Sequence, residues 1–388
     1  MLIGQDIAIL GAGVAGLTAA RALALRGARV TVYERTSEIA EVGAGLQLSP
    51  NGVAVLSALG LDAGLAAMRS TGVLLVDGYS GRTVLHMDFE RLKPDADFLL
   101  VHRADLIDVL LRCAQDAGVQ IKLSHTVETV VDDGGAVTVH FEGGKQVVHD
   151  FVVGADGLQS RLRKTLNGDA APFFTGQTAW RATVPAAGGE DQIAMIHVAA
   201  GKHVVCYPLR GGSLINIVAV EEREEWSDEG WHLEGDPIQL REHFSAFCAG
   251  VTSLLERVTE VSRWGLFRHP VAQNWYGTRT ALIGDAAHPT LPFLAQGANL
   301  ALEDAWVLAD CLANMPLDQA LPAYQLRRRA RVVRAIDAAT ANARNYHLRG
   351  PKRMAAHMLL RTGGKLAPRA LVDKFGWLYD HDVTRDVT

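Results

Sequence analysis

The sequence has few of the features that mark secreted, membrane or metal-binding proteins. Its four cysteines lie far apart and form no CxxC pair, which favours a reducing cytoplasm over a disulfide-bonded exterior. No window approaches the ~18 consecutive apolar residues that a membrane span needs. His347 and His357 have no partners at metal-ligand spacing. We therefore expect a cytoplasmic protein without a membrane segment or a bound metal.

Signals for export and for nucleic-acid binding are missing as well. Residues 1–6 contain no basic region, and glycines break the apolar run that begins at Ile7, as in a buried strand and turn rather than a signal peptide. The net charge is −5, which gives no general attraction to nucleic acid. The arginine-rich stretch 327–334 alternates with apolar residues, which indicates a solvated helix face or a dimer contact. We expect no nucleic-acid partner and leave a homodimer open.

What the chain does contain first is a dinucleotide-binding pattern at its start. An apolar strand over 6–10 runs into Gly11-x-Gly13-x-x-Gly16 and a helix, and a second strand ends at Glu34. The glycines suit a tight turn, a close approach of backbone to pyrophosphate, and close packing of helix on strand, while Glu34 suits a ribose diol. The alternative is a plain glycine turn with a surface Glu, and this unit alone leaves NAD and FAD open. The predicted contacts are Gly11, Gly13, Val14, Ala15, Gly16, Glu34 and Arg35.

Further polar loops follow other apolar strands. A glycine-rich loop over 43–45 suits a backbone that passes close to a flat ring system, so we predict cofactor contacts at Gly45 and Leu46 and a substrate contact at Gln47. Arg103 lies just before a predicted helix, where a cation does not help the helix dipole, so it serves either a partner such as a phosphate or ribityl oxygen, or solvent. Asp156-Gly157 alone is an ordinary turn dipeptide, but its strand–Gly-Ala-Asp-Gly–helix context predicts a second nucleotide contact at Asp156 and Gly157.

The last such loop carries the most varied chemistry. A strand ends in Gly284-Asp285, an irregular loop contains His288 and Pro292, and an apolar helix begins near Gly297. A helix start offers unpaired N–H groups and a partial positive charge. We predict cofactor contacts at Gly284, Asp285, Pro292, Gly297, Ala298 and Asn299. His288 receives no role.

Between residues 172 and 270 the pattern becomes that of antiparallel strands joined by glycine-rich turns. Alternation within 202–208 places His203, Val205 and Tyr207 on one face and Val204 and Cys206 on the other. The first face suits an aromatic ring with a phenol to deprotonate, although a half-exposed face with incidental polarity has the same pattern. Arg181 is either a carboxylate anchor or a partner in a salt bridge.

Taken together, the motifs resemble those of the FAD-dependent aromatic hydroxylases of the para-hydroxybenzoate hydroxylase type, the class A flavoprotein monooxygenases. The resemblance covers nearly the whole chain. Within the family, the chain looks most similar to the salicylate and 3-hydroxybenzoate hydroxylase branch, which includes 6-hydroxynicotinate 3-monooxygenase. It rests on three glycine motifs in the family's order and spacing, with branch-typical runs at 43–51, 288–289 and 296–297.

The resemblance implies an α/β fold: a Rossmann-like FAD-binding domain with an inserted, mainly antiparallel substrate domain and C-terminal helices. The expected boundaries are 1–75, 100–171 and 271–350 for the FAD-binding domain, 76–99 and 172–270 for the substrate domain, and 351–388 for the helical segment.

The resemblance also implies a reaction and its residues. FAD, NADH or NADPH and O₂ would hydroxylate a small phenolic acid through a flavin C4a-hydroperoxide, with Arg103 on FAD and Pro292 over the isoalloxazine. His203 and Gln296 would deprotonate the phenol, and Tyr207 would assist. The substrate contacts would be Gln47, Arg181, His203, Val205, Tyr207, Pro292 and Phe293. Open alternatives are a hydroxypyridine or other heterocycle as substrate, for which a neighbouring Cys would matter, and an FAD-binding redox-responsive protein without oxygenase activity. The sequence decides neither the substrate, the position hydroxylated, nor NADH against NADPH.

Overall fold

Two sheets of different character organise the chain, and a computed structural model describes them over residues 2–39, 44–169, 171–224 and 233–385. The strands of the first half are β1 (Asp6–Leu10), β2 (Arg29–Tyr33), β3 (Gly45–Leu48), β4 (Ala67–Arg69), β5 (Gly72–Asp77), β6 (Thr83–Asp88), β7 (Leu99–His102), β8 (Gln120–Lys122), β9 (Val127–Asp132), β10 (Val137–Phe141), β11 (Gln146–His149) and β12 (Phe151–Gly154). Those of the second half are β13 (Phe173–Pro185), β14 (Ile193–Ala199), β15 (Lys202–Leu209), β16 (Leu214–Glu222), β17 (Leu233–Gly235), β18 (Val261–Arg268) and β19 (Thr280–Leu282).

The α-helices of the described residues follow the same order and become dominant towards the C-terminus. They are α1 (Val14–Ala24), α2 (Pro50–Ala58), α3 (Phe89–Leu92), α4 (Arg103–Asp116), α5 (Arg161–Asn167), α6 (Pro237–His243), α7 (Ala249–Glu256), α8 (Gly297–Asn314), α9 (Leu317–Tyr346), α10 (Gly350–Leu366), α11 (Pro368–Asp373) and α12 (Gly376–Tyr379). None of the helices in this described part of the chain is long and apolar enough to cross a membrane.

The first sheet is parallel and has the strand order β19-β12-β1-β2-β8. Its central strands are apolar without alternation because helices cover the sheet and both faces are buried. β1, β12 and β19 are neighbours, and each runs directly into one of the glycine motifs. Because the carboxyl ends of parallel strands meet at one edge, three motifs separated by up to 270 residues come together. This confirms the predicted Rossmann-like part of the fold.

The second sheet has the order β17-β18-β13-β16-β15-β14-β5-β6, and all its pairs are antiparallel except β14 with β5. This confirms the predicted mainly antiparallel sheet. One face packs against α6 and α7 around Trp180, Phe244 and Leu255. β5 pairs within this sheet over its whole length, across the boundary expected at residue 76. The other face is left to border a cavity.

The C-terminal helices close the far side of the molecule, as the composition of 351–388 predicted. α10 lies against β6 and is fixed to the end of β5 by Asp77. The Asp77 carboxylate lies 2.7 Å from Nη1 of Arg353 and 3.2 Å from Nδ1 of His357. We call these three residues the α10 clamp. It attaches a helix to the sheet through one carboxylate that also accepts hydrogen bonds from the turn at Ser80.

A buried ion network joins α8 to α9 in the core. Arg328 of α9 donates to Asp304 through Nε at 2.8 Å and also pairs with Glu303, and all three side chains are at most 1 % exposed. Arg331 adds a second cation, 2.7 Å from Glu303. Burial alone would raise the pKa of Glu303, but the two arginines outweigh it and hold that pKa below its usual value. Each buried charge therefore depends on its partner being present.

We expect Arg328→Ala to lower the free energy of unfolding by ~3–5 kcal/mol, because it removes the cation that two buried carboxylates share. The exposed neighbour Arg329 provides the matched control, and Arg329→Ala should change stability by no more than about 0.5 kcal/mol. Urea unfolding followed by circular dichroism measures both. Equal losses in the two variants would show that the network does not stabilise the core.

Candidate active site

A cavity of about 740 Å³ separates the edge of the parallel sheet from the open face of the antiparallel sheet. Gly13, Val14, Ala15 and Gly157 line one end, and side chains of β15, β16 and β18 line the opposite wall. A third part of the lining is apolar and comes from β5, β6 and the C-terminal helices, for example Leu75, Met87, Leu360 and Phe375. This third part had no signal in the sequence, because its residues have the composition of ordinary core.

The N-terminal glycine loop is built for close approach. Gly11 has a φ of +103°, and a Cβ there would lie 2.6 Å from the carbonyl oxygen of Ala155. Glu34 accepts a hydrogen bond of 2.9 Å from the N–H of Ala12, which fixes the loop against β2. Helix α1 begins at Val14 without a side-chain cap, so its first N–H groups are available at the end of the cavity. Such an end binds phosphate groups.

Two aspartates stand where β12 and β19 end. Oδ1 of Asp156 is buried and has no hydrogen-bond partner among the described residues, and burial raises the pKa of this carboxyl. Asp285 opens onto the cavity, yet protein encloses it deeply enough that burial raises its pKa too, against His288 and Arg103. Of the two, Asp285 lines the cavity and can exchange hydrogen bonds with hydroxyl groups of a ligand there.

The loop before α8 presents backbone to the cavity. Ala295 is in the left-handed region at φ +53°, and α8 begins at Gly297 without a side-chain cap. Pro292, Phe293, Gly297 and Ala298 line the cavity. The N–H groups at the start of α8 therefore offer partial positive charge beside a ligand.

Two residues of this loop do not face the cavity. The side chain of Asn299 accepts from the N–H of Ser49 at 3.0 Å and donates to the carbonyl of Ala295 at 2.7 Å. The amide of Gln296 donates to Oγ of Ser49 at 2.9 Å and accepts from Asn51 at 3.1 Å. Gln296 is not among the cavity-lining residues, so the expected pairing of Gln296 with His203 over a phenol is not the arrangement seen.

Several predicted cofactor residues act on the loops rather than on the cavity. A Cβ on Gly16 would lie 2.0 Å from the carbonyl oxygen of Gly11, so this position serves packing of α1 on the loop. Gly284, at φ +57°, packs against Ala15 and donates its N–H to Asp304 at 3.0 Å. Arg35 is exposed beyond β2 and does not line the cavity. Gly45, Leu46 and Arg103 do line it, whereas Gly43 lies outside the described residues.

His288, which had no role from the sequence, belongs to the buried ion network. Its Nε2 hydrogen-bonds the same carboxylate oxygen of Asp304 that receives the N–H of Gly284. Trp275 covers its ring at a centroid distance of 5.0 Å. Nothing in the local sequence links residue 288 to residue 304. The histidine fixes the loop that follows β19.

The wall opposite the nucleotide motifs carries the predicted polar face of β15. His203, Val205 and Tyr207 line the cavity, while Val204 and Cys206 pack in the core on the other side of the sheet. The predicted alternation is therefore confirmed. Tyr207 packs so closely on Gly45 that a Cβ there would lie 2.5 Å from its ring.

Two further cavity-lining residues lie beside this face. Arg181 and Gln47 both lie beside Tyr207. The Arg181 guanidinium also lies 5.0 Å from the centroid of the Trp264 ring. Burial raises the pKa of Tyr207 despite both neighbours, so its hydroxyl stays protonated.

His203 is a buried base that faces the cavity. It is 2 % exposed, and its ring lies 5.6 Å from that of Phe293 between centroids. Its Nδ1 lies 2.8 Å from Nε2 of His347. Burial lowers the pKa of His203 well below its ordinary value, and His347 adds to this. His203 is therefore neutral near pH 7 and can accept a proton through Nε2.

Comparison with known proteins agrees with this geometry. The model of the FAD binding domain family matches residues 5–339. The chain belongs to this family. It is 37 % identical over 354 residues to the 3-amino-4-hydroxybenzoate 2-monooxygenase of Streptomyces cremeus, covering 88 % of each chain. It is 33 % identical over 391 residues to the 3-hydroxybenzoate 6-hydroxylase of Polaromonas naphthalenivorans, covering 97 % of this chain and 96 % of that one. The chain is an FAD-dependent monooxygenase.

A solved structure shares the whole fold. The Klebsiella pneumoniae protein HpxO, complexed with FAD and uric acid, superposes with a TM-score of 0.84 at 24 % identity, covering 96 % of this chain and 97 % of that one. The residues present here fit FAD: an uncapped helix start for pyrophosphate, the carboxyl of Asp285 on the cavity, and a glycine at the close approach of Gly11 to the Ala155 carbonyl. The contact of each individual residue stays a prediction.

We expect Gly11→Ala to raise the Kd for FAD by at least about tenfold. The new Cβ would clash with the Ala155 carbonyl, and the positive φ is unfavourable for alanine, which alone costs ~1–2 kcal/mol. Gly118→Ala is the matched control, since Gly118 has a φ of +84° with nothing within 4 Å and does not line the cavity. Titration of flavin fluorescence measures both. Weakened FAD binding in Gly118→Ala alone would overturn this account of the loop.

Proposed function

We propose that this monooxygenase uses NADH or NADPH and O₂ to hydroxylate a small phenolic acid. The observation that carries the proposal is the polar face of β15, where a neutral His203 and a protonated Tyr207 lie across the cavity from the FAD-binding edge. The relatives that act on hydroxybenzoates and aminohydroxybenzoates support the same substrate class. A phenol in the cavity would lie between these side chains and the ring of the cofactor.

Each residue has one task in this proposal. His203 accepts the phenol proton through Nε2, which makes the ring a better nucleophile. Tyr207 donates a hydrogen bond to the phenolate, because its own hydroxyl remains protonated. Arg181 binds the carboxylate with a charge-assisted hydrogen bond, and Pro292 and Phe293 close the cavity from the loop side.

Bound FAD would supply the redox chemistry, taking a hydride from NAD(P)H and passing one atom of O₂ to the ring. The protein contributes electrostatics and the exclusion of water. The first N–H groups of α8, which has no side-chain cap, would stabilise negative charge on a reduced flavin bound beside them. The apolar lining from β5, β6 and the C-terminal helices keeps water out of the cavity.

His203→Ala should retain FAD yet lose product formation by on the order of 10²-fold or more, since general base catalysis is worth ~10²–10⁴-fold. NAD(P)H oxidation should then release hydrogen peroxide in place of hydroxylated product. Cys206→Ala on the same strand is the control, because Cys206 packs on the opposite face. Product and peroxide are measured together, and unchanged coupling in His203→Ala would exclude its role as base.

Arg181→Met should raise KM for a hydroxybenzoate by about 10- to 100-fold, the ~1.5–3 kcal/mol of a hydrogen bond to a charged group. Phenol itself, which lacks the carboxylate, should be affected much less. The comparison of the two substrates separates anchoring from damage to the sheet. Parallel losses with both substrates would contradict the anchoring role.

The substrate class is tested with the FAD-loaded protein and a panel of hydroxybenzoates, aminohydroxybenzoates and hydroxynicotinates. Oxidation of NADH and of NADPH is recorded for each compound, and products are identified by mass spectrometry. A phenolic acid that accelerates oxidation and gains one oxygen atom supports the proposal. Hydroxylation of the hydroxynicotinates alone would replace it with a pyridine hydroxylase.

A further inference from the structure

His203 does not end the polar chain that begins at the cavity. Its Nδ1 lies 2.8 Å from Nε2 of His347, which directly follows α9. Nδ1 of His347 lies 3.2 Å from Oε1 of Glu222 at the end of β16. The side chains of His347 and Glu222 are 2 % and 39 % exposed. The three residues thus form a continuous path of polar contacts, none longer than 3.2 Å, from the cavity to solvent.

From this path we propose that His203, His347 and Glu222 form a proton relay, which carries the phenol proton from the cavity to bulk water. The proposal rests on the proposed function, because His203 is the base in both. It assigns two residues, His347 and Glu222, that never touch the substrate. They are positioning and transfer residues that act through His203.

The proposed relay starts from one arrangement of protons, which the carboxylate at its outer end sets. Glu222 is an acceptor, so Nδ1 of His347 carries a proton and Nε2 of His347 is left to accept. Nδ1 of His203 then donates to that Nε2, and Nε2 of His203 is left bare for the cavity. Both histidines are neutral in this state. It is the tautomer pair that a base facing the cavity needs.

Transfer then proceeds without leaving a charge on either histidine. The substrate O–H bond breaks as Nε2–H of His203 forms, the Nδ1 proton of His203 moves to Nε2 of His347, and the Nδ1 proton of His347 moves to Oε1 of Glu222. Glu222 releases its proton to water. A proton returning by the same path to the oxygen of the product restores both tautomers.

The groups around His347 suit this role. Burial lowers its pKa and Glu222 opposes the change, while Arg349, which is paired with Glu222, lowers it further. The amide nitrogen of Gln177, on β13, lies 3.3 Å from the same Nδ1; the relay requires this amide to turn, so that its oxygen faces the Nδ1 proton. Tyr346 covers His203 at a centroid distance of 5.2 Å. An imidazolium within this path would be unfavourable, so concerted transfer is favoured over storage of the proton.

The decisive variant is His347→Gln, because glutamine still accepts a hydrogen bond from His203 but cannot pass a proton. In the FAD-loaded protein at pH 7, mixed by stopped flow with the phenolic acid from the panel that the wild type hydroxylates, we expect phenolate absorbance to appear on the order of 10²-fold more slowly. Proton release, read with a pH dye in weak buffer, should slow equally. An unchanged rate in His347→Gln would overturn the relay.

Glu222→Gln carries the test if His347→Gln loses FAD, since Glu222 lies at the half-exposed end of the path. We expect slower proton release than in Glu224→Gln, whose exposed carboxylate lies two residues away. Equal rates in the two variants would also contradict the relay. The flavin spectrum of each variant reports that the cavity is intact.

A measurement without substrate separates this inference from the proposed function. Two-bond ¹H–¹⁵N spectra of the FAD-loaded, ¹⁵N-histidine-labelled protein report the tautomers, and His203→Ala and His347→Gln assign the signals. We expect Nδ1–H on both rings. A His203 protonated at Nε2 would exclude the relay even if phenols are hydroxylated. If no phenolic acid forms a phenolate in the wild type, the proposed function fails. The histidine tautomers then still show whether His203 and His347 carry their protons where the relay requires them.

Discussion

One carboxylate, that of Asp304, holds together the parts on which the cavity depends. It receives the N–H of Gly284, the ring of His288 and the guanidinium of Arg328. These partners come from the loop after β19, from the turn that follows it, and from α9. An isolated carboxylate at this depth would cost several kcal/mol, so its position is tolerated only with all three partners present. The loop between β19 and α8 is thus also fixed from behind by the core.

The antiparallel sheet separates two environments by strand alternation. On the side of α6 and α7, Val204 and Cys206 are ordinary core residues. One residue along the strand in either direction, the side chains enter the cavity and carry acid–base chemistry. Period-two geometry therefore allows a single strand to provide both stability and reactivity. The polar atoms of the reactive face are matched by neighbours: Tyr207 by Gln47 and Arg181, and His203 by His347.

Local patterns predicted the parts that depend on local geometry. The run from Asp6 to Glu34 encodes strand, turn and helix within one short segment, and the alternation of 202–208 requires only that β15 be a strand. Local patterns do not indicate which distant partner a side chain takes. Gln296 bonds to Ser49 and Asn51, about 250 residues away in the chain, and His347 was dismissed because its partners lie on β15 and β16.

The apolar lining was missed for a different reason. Leu75, Met87 and Leu360 face a cavity, but composition alone does not distinguish a residue that faces a cavity from one that faces another side chain. Only the packing of α10 against β6 shows which of them border open space.

Because of the α10 clamp, two parts of the cavity lining are held in place independently of each other. One wall of the cavity belongs to helices that attach to the sheet through Asp77, while the loop after β19 is fixed independently through Asp304. Changes in the C-terminal helices can therefore reshape the far end of the cavity without disturbing the residues that hold the cofactor or the base. In evolutionary terms, the size of substrate that the cavity accepts and the chemistry performed on that substrate can diverge separately within one chain.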